Sequence, residues 1–415
     1  MIVSSFAAAA LPAVLLLAPA APRPVEPMEP MPPRPAAAVG AALLHRPGIH
    51  VRVPPGVAGP PAVTARSYLV ADARSGDVLA ARDAHAQLPP ASTLKALFAL
   101  TALPGQSPER QHTVSEHELR GVGDGSSLVG VREEVTYKLA DLWRGVFLSS
   151  GNDAVRVLAG LNGGWERTAR EMEAKARSLG ALDTRVKSPD GYDTEGQVSS
   201  AYDLAVFGRA GLQNPDFARY AATAEADFPG GGWSYGIRNT NRLLTGDDGV
   251  GRYPGVLGIK NGYTTNAGHT LITAARHGSR TLVVTVMNPR SGGAFDVYDE
   301  ARRLLDWGFA AAPKAQPVGS ILPPPQPAAV KAAAPPAPSA GAPGTPAAAA
   351  KAPTAPAKPP ASSPPAPAAS PPAPVAAASA APAHDGPHLL LPLTLVAAAL
   401  LAAATLWWLR RRPER

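Results

Sequence analysis

Two β-prone runs, Ser67-Tyr68-Leu69-Val70-Ala71-Asp72 and Val78-Leu79-Ala80-Ala81, flank the turn residues Arg74-Ser75-Gly76-Asp77. Such runs about a Gly-containing turn predict a β-hairpin. The pattern returns late in the chain, where His269 to Ala275 and Arg280 to Met287 surround His277-Gly278-Ser279. Between these hairpins a helical period takes over. Leu139, Leu142, Trp143, Val146 and Phe147 form one apolar stripe, on a helix predicted to start at Val135-Thr136 and to run out at Ser149. A second set, Ala154, Val155, Leu158 and Ala159, resumes at once. An amphipathic helix follows from Trp165 to Leu179, stopped by Gly180. Ser200 with Asp203 three residues on predicts a capped helix through Leu212, and a closing helix spans Phe295 to Trp307. Residues 104–134 show no sustained period, and the Gly- and Asn-rich stretch from Asn214 to Pro254 resists assignment. Strands at both ends with helices between them predict an α+β fold. Its antiparallel sheet is built from the N- and C-terminal segments, with helices on both sides.

Composition sets the limits of that fold. The chain has 415 residues and 48 prolines, of which only nine lie between residues 66 and 312. The globular part is therefore expected at 62–312, between a Pro/Ala-rich lead-in at 21–61 and a Pro/Ala-rich tether at 313–388 that cannot bury enough apolar surface to fold. At roughly 3 Å per residue such a tether reaches about 200 Å when extended. Residues 1–20 read as a secretory signal, apolar and ending Ala18-Pro19-Ala20. The run Leu389 to Leu409 is long and apolar enough to span a bilayer, with Trp407 and Trp408 at one edge and Arg410, Arg411, Arg412 and Arg415 after it. Positive-inside places the basic tail, 410–415, in the cytoplasm and the rest outside. The chain has no cysteine, which excludes a disulfide scaffold, a thiol nucleophile and a thiolate metal site. No metal-ligand spacing of histidines appears, so no cofactor is expected. Net charge is +7, yet no Lys/Arg cluster with interleaved aromatics speaks for nucleic acid.

The candidate chemistry starts at Pro89-Pro90-Ala91-Ser92-Thr93-Leu94-Lys95, where two prolines lead into good helix formers and a helix should begin at about Ser92. Ser92 and Lys95, three apart, then share one face. A serine hydroxyl needs a base, and a lysine serves as one only with a lowered pKa. By itself the spacing also fits a serine cap followed by a surface lysine. Two further motifs change the balance: Ser150-Gly151-Asn152 after an amphipathic segment, and Lys260-Asn261-Gly262 before a strand-like run. In this order the three resemble the Ser-x-x-Lys, Ser-x-Asn, Lys-Thr-Gly trio of penicillin-binding proteins and serine β-lactamases. The flanks, Leu148-Ser149-Ser150-Gly151-Asn152-Asp153-Ala154 and Gly258 to Gly268, resemble those of the D-alanyl-D-alanine carboxypeptidases over roughly residues 62 to 310.

That resemblance implies a substrate, peptidoglycan stem peptides ending in D-Ala-D-Ala, and β-lactams as covalent inhibitors. It implies Ser92 as nucleophile, Lys95 as base with Lys260 nearby, and Ser150 passing a proton to the leaving amine. Asn152, Lys260, Asn261, Gly262, Tyr263 and Thr264 are the implied substrate-binding residues, with the N–H groups of Ser92 and Tyr263 as oxyanion hole. Two departures stand out. Asn261 replaces the usual Thr, and the closing helix carries Val297 where some relatives have a carboxylate-binding Arg. Arg290, Thr264 and Thr265 are the substitutes on offer. A silent wall-binding module and a β-lactamase are the competing readings. Against the latter, no Glu followed four residues on by Asn lies between Asn152 and Ser200.

Overall fold

The structure, a computed structural model, describes residues 42–323. The expected signal segment, the tether from residue 324 on, the Leu389–Leu409 run and the basic tail lie outside the described residues. Among the described residues no helix is long and apolar enough to cross a membrane.

Eleven strands can be followed: β1 (Ile49–Val51), β2 (Ser67–Asp72), β3 (Asp77–Arg82), β4 (Gln111–Thr113), β5 (Thr136–Lys138), β6 (Glu225–Pro229), β7 (Ser234–Arg238), β8 (Val256–Thr264), β9 (Gly268–His277), β10 (Arg280–Met287) and β11 (Gly319–Ser320). The main helices are α1 (Lys95–Ala102), α2 (Leu139–Leu148), α3 (Asn152–Leu161), α4 (Trp165–Ser178), α5 (Ala201–Leu212), α6 (Pro215–Ala221) and α7 (Asp296–Ala311). The main sheet runs β1-β3-β2-β10-β9-β8, and β11 also pairs with β3. Its pairs are antiparallel, and the β2–β10 pair joins the N-terminal hairpin to the C-terminal one, with Val70 opposite Val284. The expected α+β architecture is thus present.

Period-two alternation divides the sheet between two apolar layers. Tyr68 and Val70 of β2, Leu271 and Ala275 of β9, and Leu282, Val284 and Val286 of β10 pack against Val297, Ala301, Leu304 and Leu305 of α7. The alternate residues Leu69, Ala71, Ile272, Ala274 and Val283 meet the larger helical body, which includes Leu97 and Phe98 of α1, Trp143 and Phe147 of α2, and Leu204 and Phe207 of α5. Both faces are covered, so these strands read as nearly continuous apolar runs. Each fully buried Leu, Val or Phe contributes about 1.5–3 kcal/mol.

Several expectations need correction. The predicted lead-in is partly folded: Leu44 is buried, and Ile49 to Val51 pair with Ala80 to Arg82. At the other end, β11 lies beyond the expected limit at 312 and pairs with Val78 and Asp77. Val135-Thr136 does not begin a helix, because Thr136–Lys138 pair with Gln111–Thr113 and the helix starts only at Leu139. The unassigned 214–254 stretch contains α6, started by Asn214 whose side chain caps Asp216 and Phe217, and the β6–β7 hairpin. Ser200 does cap α5 by accepting from the Asp203 N–H. The reciprocal half of the box is missing, since Asp203 Oδ2 accepts from Thr184 instead. Burial raises the Asp203 carboxyl to about 7.

Candidate active site

After Pro90 the chain makes a 3-10 turn, Ala91–Leu94, before α1 begins at Lys95. Side chains three apart eclipse in a 3-10 turn. Lys95 Nζ accordingly sits 2.7 Å from Ser92 Oγ and donates a second hydrogen bond, 2.6 Å, to the Asp190 carbonyl. The turn is held from both sides. Thr93 and Thr270 each donate to the Pro90 carbonyl, at 2.6 and 2.9 Å. Gly191 (φ +80°) lies so close that a Cβ there would stand 2.1 Å from the Ala91 oxygen. Ala91 itself has φ +50°, a strained value for a residue with a side chain.

Lys95 is 1% exposed, and burial lowers its pKa to about 8 against the opposing charges of Asp190 and Asp153. Lys260 is equally buried. Its pKa is pushed well down, first by burial and then by the Lys95 charge. Two amines so placed cannot both hold a proton cheaply, which is what general-base use of one of them requires.

Ser150 bridges α2 and α3 in the left-handed region (φ +60°), is buried, and its Oγ has no hydrogen-bond partner among the described residues. Asn152 is not on the connection, as expected, but is the first residue of α3. Its Nδ2 donates to Ser126 Oγ at 3.1 Å, and its Oδ1 is buried without a partner. Sequence reasoning missed Asp153, whose carboxylate accepts the N–H groups of Val129, Gly130 and Val131 at 2.7–3.0 Å and of Ala154 at 2.9 Å. It binds the 124–131 loop to the start of α3. An acid directly after the motif, in the first turn of a helix, was the available signal.

The third motif lies on β8, the edge strand of the sheet. Gly262 backs onto the nucleophile turn: a Cβ there would come within 2.7 Å of the Ser92 nitrogen. Tyr263 is exposed and packs against His269, ring centroids 4.6 Å apart. Thr264 Oγ1 accepts the Ala267 N–H at 3.1 Å. Asn261 Oδ1 accepts from Thr240 Oγ1 at 2.9 Å and stands 3.5 Å from Lys260 Nζ. Its Nδ2 enters no hydrogen bond among the described residues. Arg290 is exposed, and among the described residues only its backbone N–H is engaged, by Thr64 Oγ1. Val297 is buried against the sheet. A cleft of ≈ 230 Å³ opens over Ser92, lined by Asn152, Tyr263, Thr264 and Thr265 among others, and by no arginine.

A serine bonded to a buried lysine, a second buried lysine on a sheet edge, an unpaired serine on the facing helix connection and an asparagine at the start of the next helix define a serine acyl-transfer enzyme of the low-molecular-weight penicillin-binding class. Comparison with known proteins narrows this. The peptidase S11 family, described as D-alanyl-D-alanine carboxypeptidase, matches residues 56–291, and the chain belongs to that family. It is 40% identical over 264 residues to the D-alanyl-D-alanine carboxypeptidase DacB2 of Mycobacterium tuberculosis, covering 62% of this chain and 86% of that protein. Against DacA of Escherichia coli K12 the identity is 31%, over 61% of this chain and 62% of that protein. A crystal structure of the M. tuberculosis H37Rv enzyme superposes with TM-score 0.59 and 38% identity, over 65% of this chain and 100% of that one. Penicillin-binding protein 6B of E. coli superposes with TM-score 0.55 and 31% identity, over 63% and 81%. The Streptomyces K15 DD-transpeptidase, 22% identical, shares the fold.

Proposed function

We propose that this protein removes the terminal D-alanine from peptidoglycan stem pentapeptides through an acyl-enzyme on Ser92. The observation that carries the reading is the 2.7 Å contact between Lys95 Nζ and Ser92 Oγ, inside a site that lowers the lysine pKa to about 8. Neutral Lys95 takes the Ser92 proton as Oγ attacks the carbonyl of the penultimate D-Ala. Charge building on that oxygen is met by the N–H groups of Ser92 and Tyr263, which Gly262 brings together by letting β8 approach the turn. Ser150, with its hydroxyl uncommitted, relays a proton to the departing D-alanine nitrogen. Asn152 holds the substrate backbone. Lys260 and the free Asn261 Nδ2, with Thr264, receive the terminal carboxylate. Water then enters and, with Lys95 again as base, releases the shortened peptide. A β-lactam offers the same carbonyl and carboxylate, so it acylates Ser92.

The reading extends to location. The Leu389–Leu409 run and the arginines after it support a single-pass anchor with the catalytic body outside the cell membrane and the basic tail inside. Purified full-length protein given a pentapeptide is expected to release free D-alanine and to label with penicillin, and Ser92→Ala to do neither. Labelling without D-alanine release would instead indicate a silent binder. Rapid β-lactam turnover would indicate a lactamase.

A further inference from the structure

The base is not held by α1 alone. Its second hydrogen bond goes to the Asp190 carbonyl, on a loop that leaves the body at Arg185 and returns at Val198. Those two residues close the loop's neck with backbone bonds of 2.9 and 3.2 Å. The next residue of the loop, Gly191, lies against the strained Ala91 of the nucleophile turn. Nucleophile and base are thus both steadied by Asp190 and Gly191, which belong to no helix or strand.

One side chain holds this loop in shape. Gln197 is 4% exposed and its amide is fully used. Oε1 accepts the N–H groups of Lys187 and Ser188 at 3.0 and 2.8 Å. Nε2 donates to the Tyr192 carbonyl at 2.7 Å and to Ser188 Oγ at 3.1 Å. Ser188 Oγ donates in turn to Asp190 Oδ1 at 2.8 Å, which also accepts the Tyr192 N–H at 3.0 Å. The amide therefore joins Lys187 and Ser188 to Tyr192, and the carbonyl that meets Lys95 lies in the span between. Two donors and two acceptor sites in one planar group are what only a side-chain amide offers. Gln197 does not line the cleft over Ser92, so none of these bonds competes with substrate.

We propose that Gln197 is a positioning residue for acylation: by tying the 187–192 segment it aims the Asp190 carbonyl at Lys95 and keeps Gly191 on the nucleophile turn, so that base and nucleophile stay in contact. The inference rests on the reading of Lys95 as base. Around Lys95 stand the carboxylates of Asp190 and Asp153 and the amine of Lys260, and burial is the largest cause of its lowered pKa. A loosened loop admits water to the ammonium, relieves that burial and moves the pKa back up.

The test follows acylation of Ser92 by a β-lactam against pH in full-length wild type, Gln197→Met and Gln197→Asn, as rate constants per molecule that labels. The midpoint of such a profile does not depend on how much of a sample is folded. Wild type is expected to rise to a plateau with its midpoint at about 8. Gln197→Met keeps the length and loses every polar atom that joins the loop. Its midpoint is expected to rise by about one pH unit and its plateau to fall about tenfold. Gln197→Asn, which keeps the amide but is too short to reach both ends, is expected to lie between the two. Gln197 variants that melt lower yet keep the wild-type midpoint would overturn the proposal and leave a merely structural glutamine. A wild-type rate without a pH midpoint would instead overturn the base reading, and this inference with it.

Discussion

In the proposed mechanism Lys95 carries two burdens at once, since it hydrogen-bonds Ser92 and must shed its own proton to act. Its pKa is lowered to about 8 because burial penalises the charged form. The neutral fraction therefore grows as pH rises toward 8 and saturates above it. Acylation of Ser92 by a β-lactam, followed as covalent label against time, is expected to speed up about tenfold per pH unit below that point and then to level off. In Lys95→Ala the rise should disappear, with the rate lower by about 10²–10⁴-fold. A pH-independent wild-type rate would remove Lys95 from the role of base. Ser92, Lys95 and Lys260 were legible in the sequence because their spacing and order were distinctive. Asp153 and Thr240 were not. Each acts through a backbone or side chain far along the chain, and no local period announces such a contact.

The elements show the same division. The hairpin of β2 and β3, the pair β9 and β10, and helices α4 and α7 follow from runs whose apolar period is strong. Short pairings such as Gln111–Thr113 with Thr136–Lys138 contain only three residues each and carry little pattern of their own. There, tertiary pairing overrode the helical reading of Val135-Thr136. The 124–131 loop is a further case: three successive N–H groups converge on Asp153, and Tyr235 donates its hydroxyl to the Val129 carbonyl. Removing that acceptor strands buried donors at about 1–3 kcal/mol each. Asp153→Ala is expected to lower the melting temperature by several degrees and to weaken D-alanine release. Asp153→Asn, which keeps one acceptor oxygen, should recover part of the stability. If Asp153→Ala melts and turns over like wild type, the loop does not depend on this carboxylate.

At the scale of the whole molecule the proposal of a membrane-held enzyme makes a topological claim. Protease added to intact cells is expected to remove the catalytic body, and protection until lysis would place that body inside. The fold bears on how an anchored enzyme would be loaded. β1 and β11 both pair with β3, and Tyr202 adds a hydrogen bond to the Ser320 carbonyl. The nucleophile turn lies against β8 at the other edge, with β2, β10 and β9 between. A mechanical pull on the C-terminal segment thus meets the two-residue β11 first, so the first pairing to part would lie at the sheet edge opposite the strand that shapes the catalytic cleft.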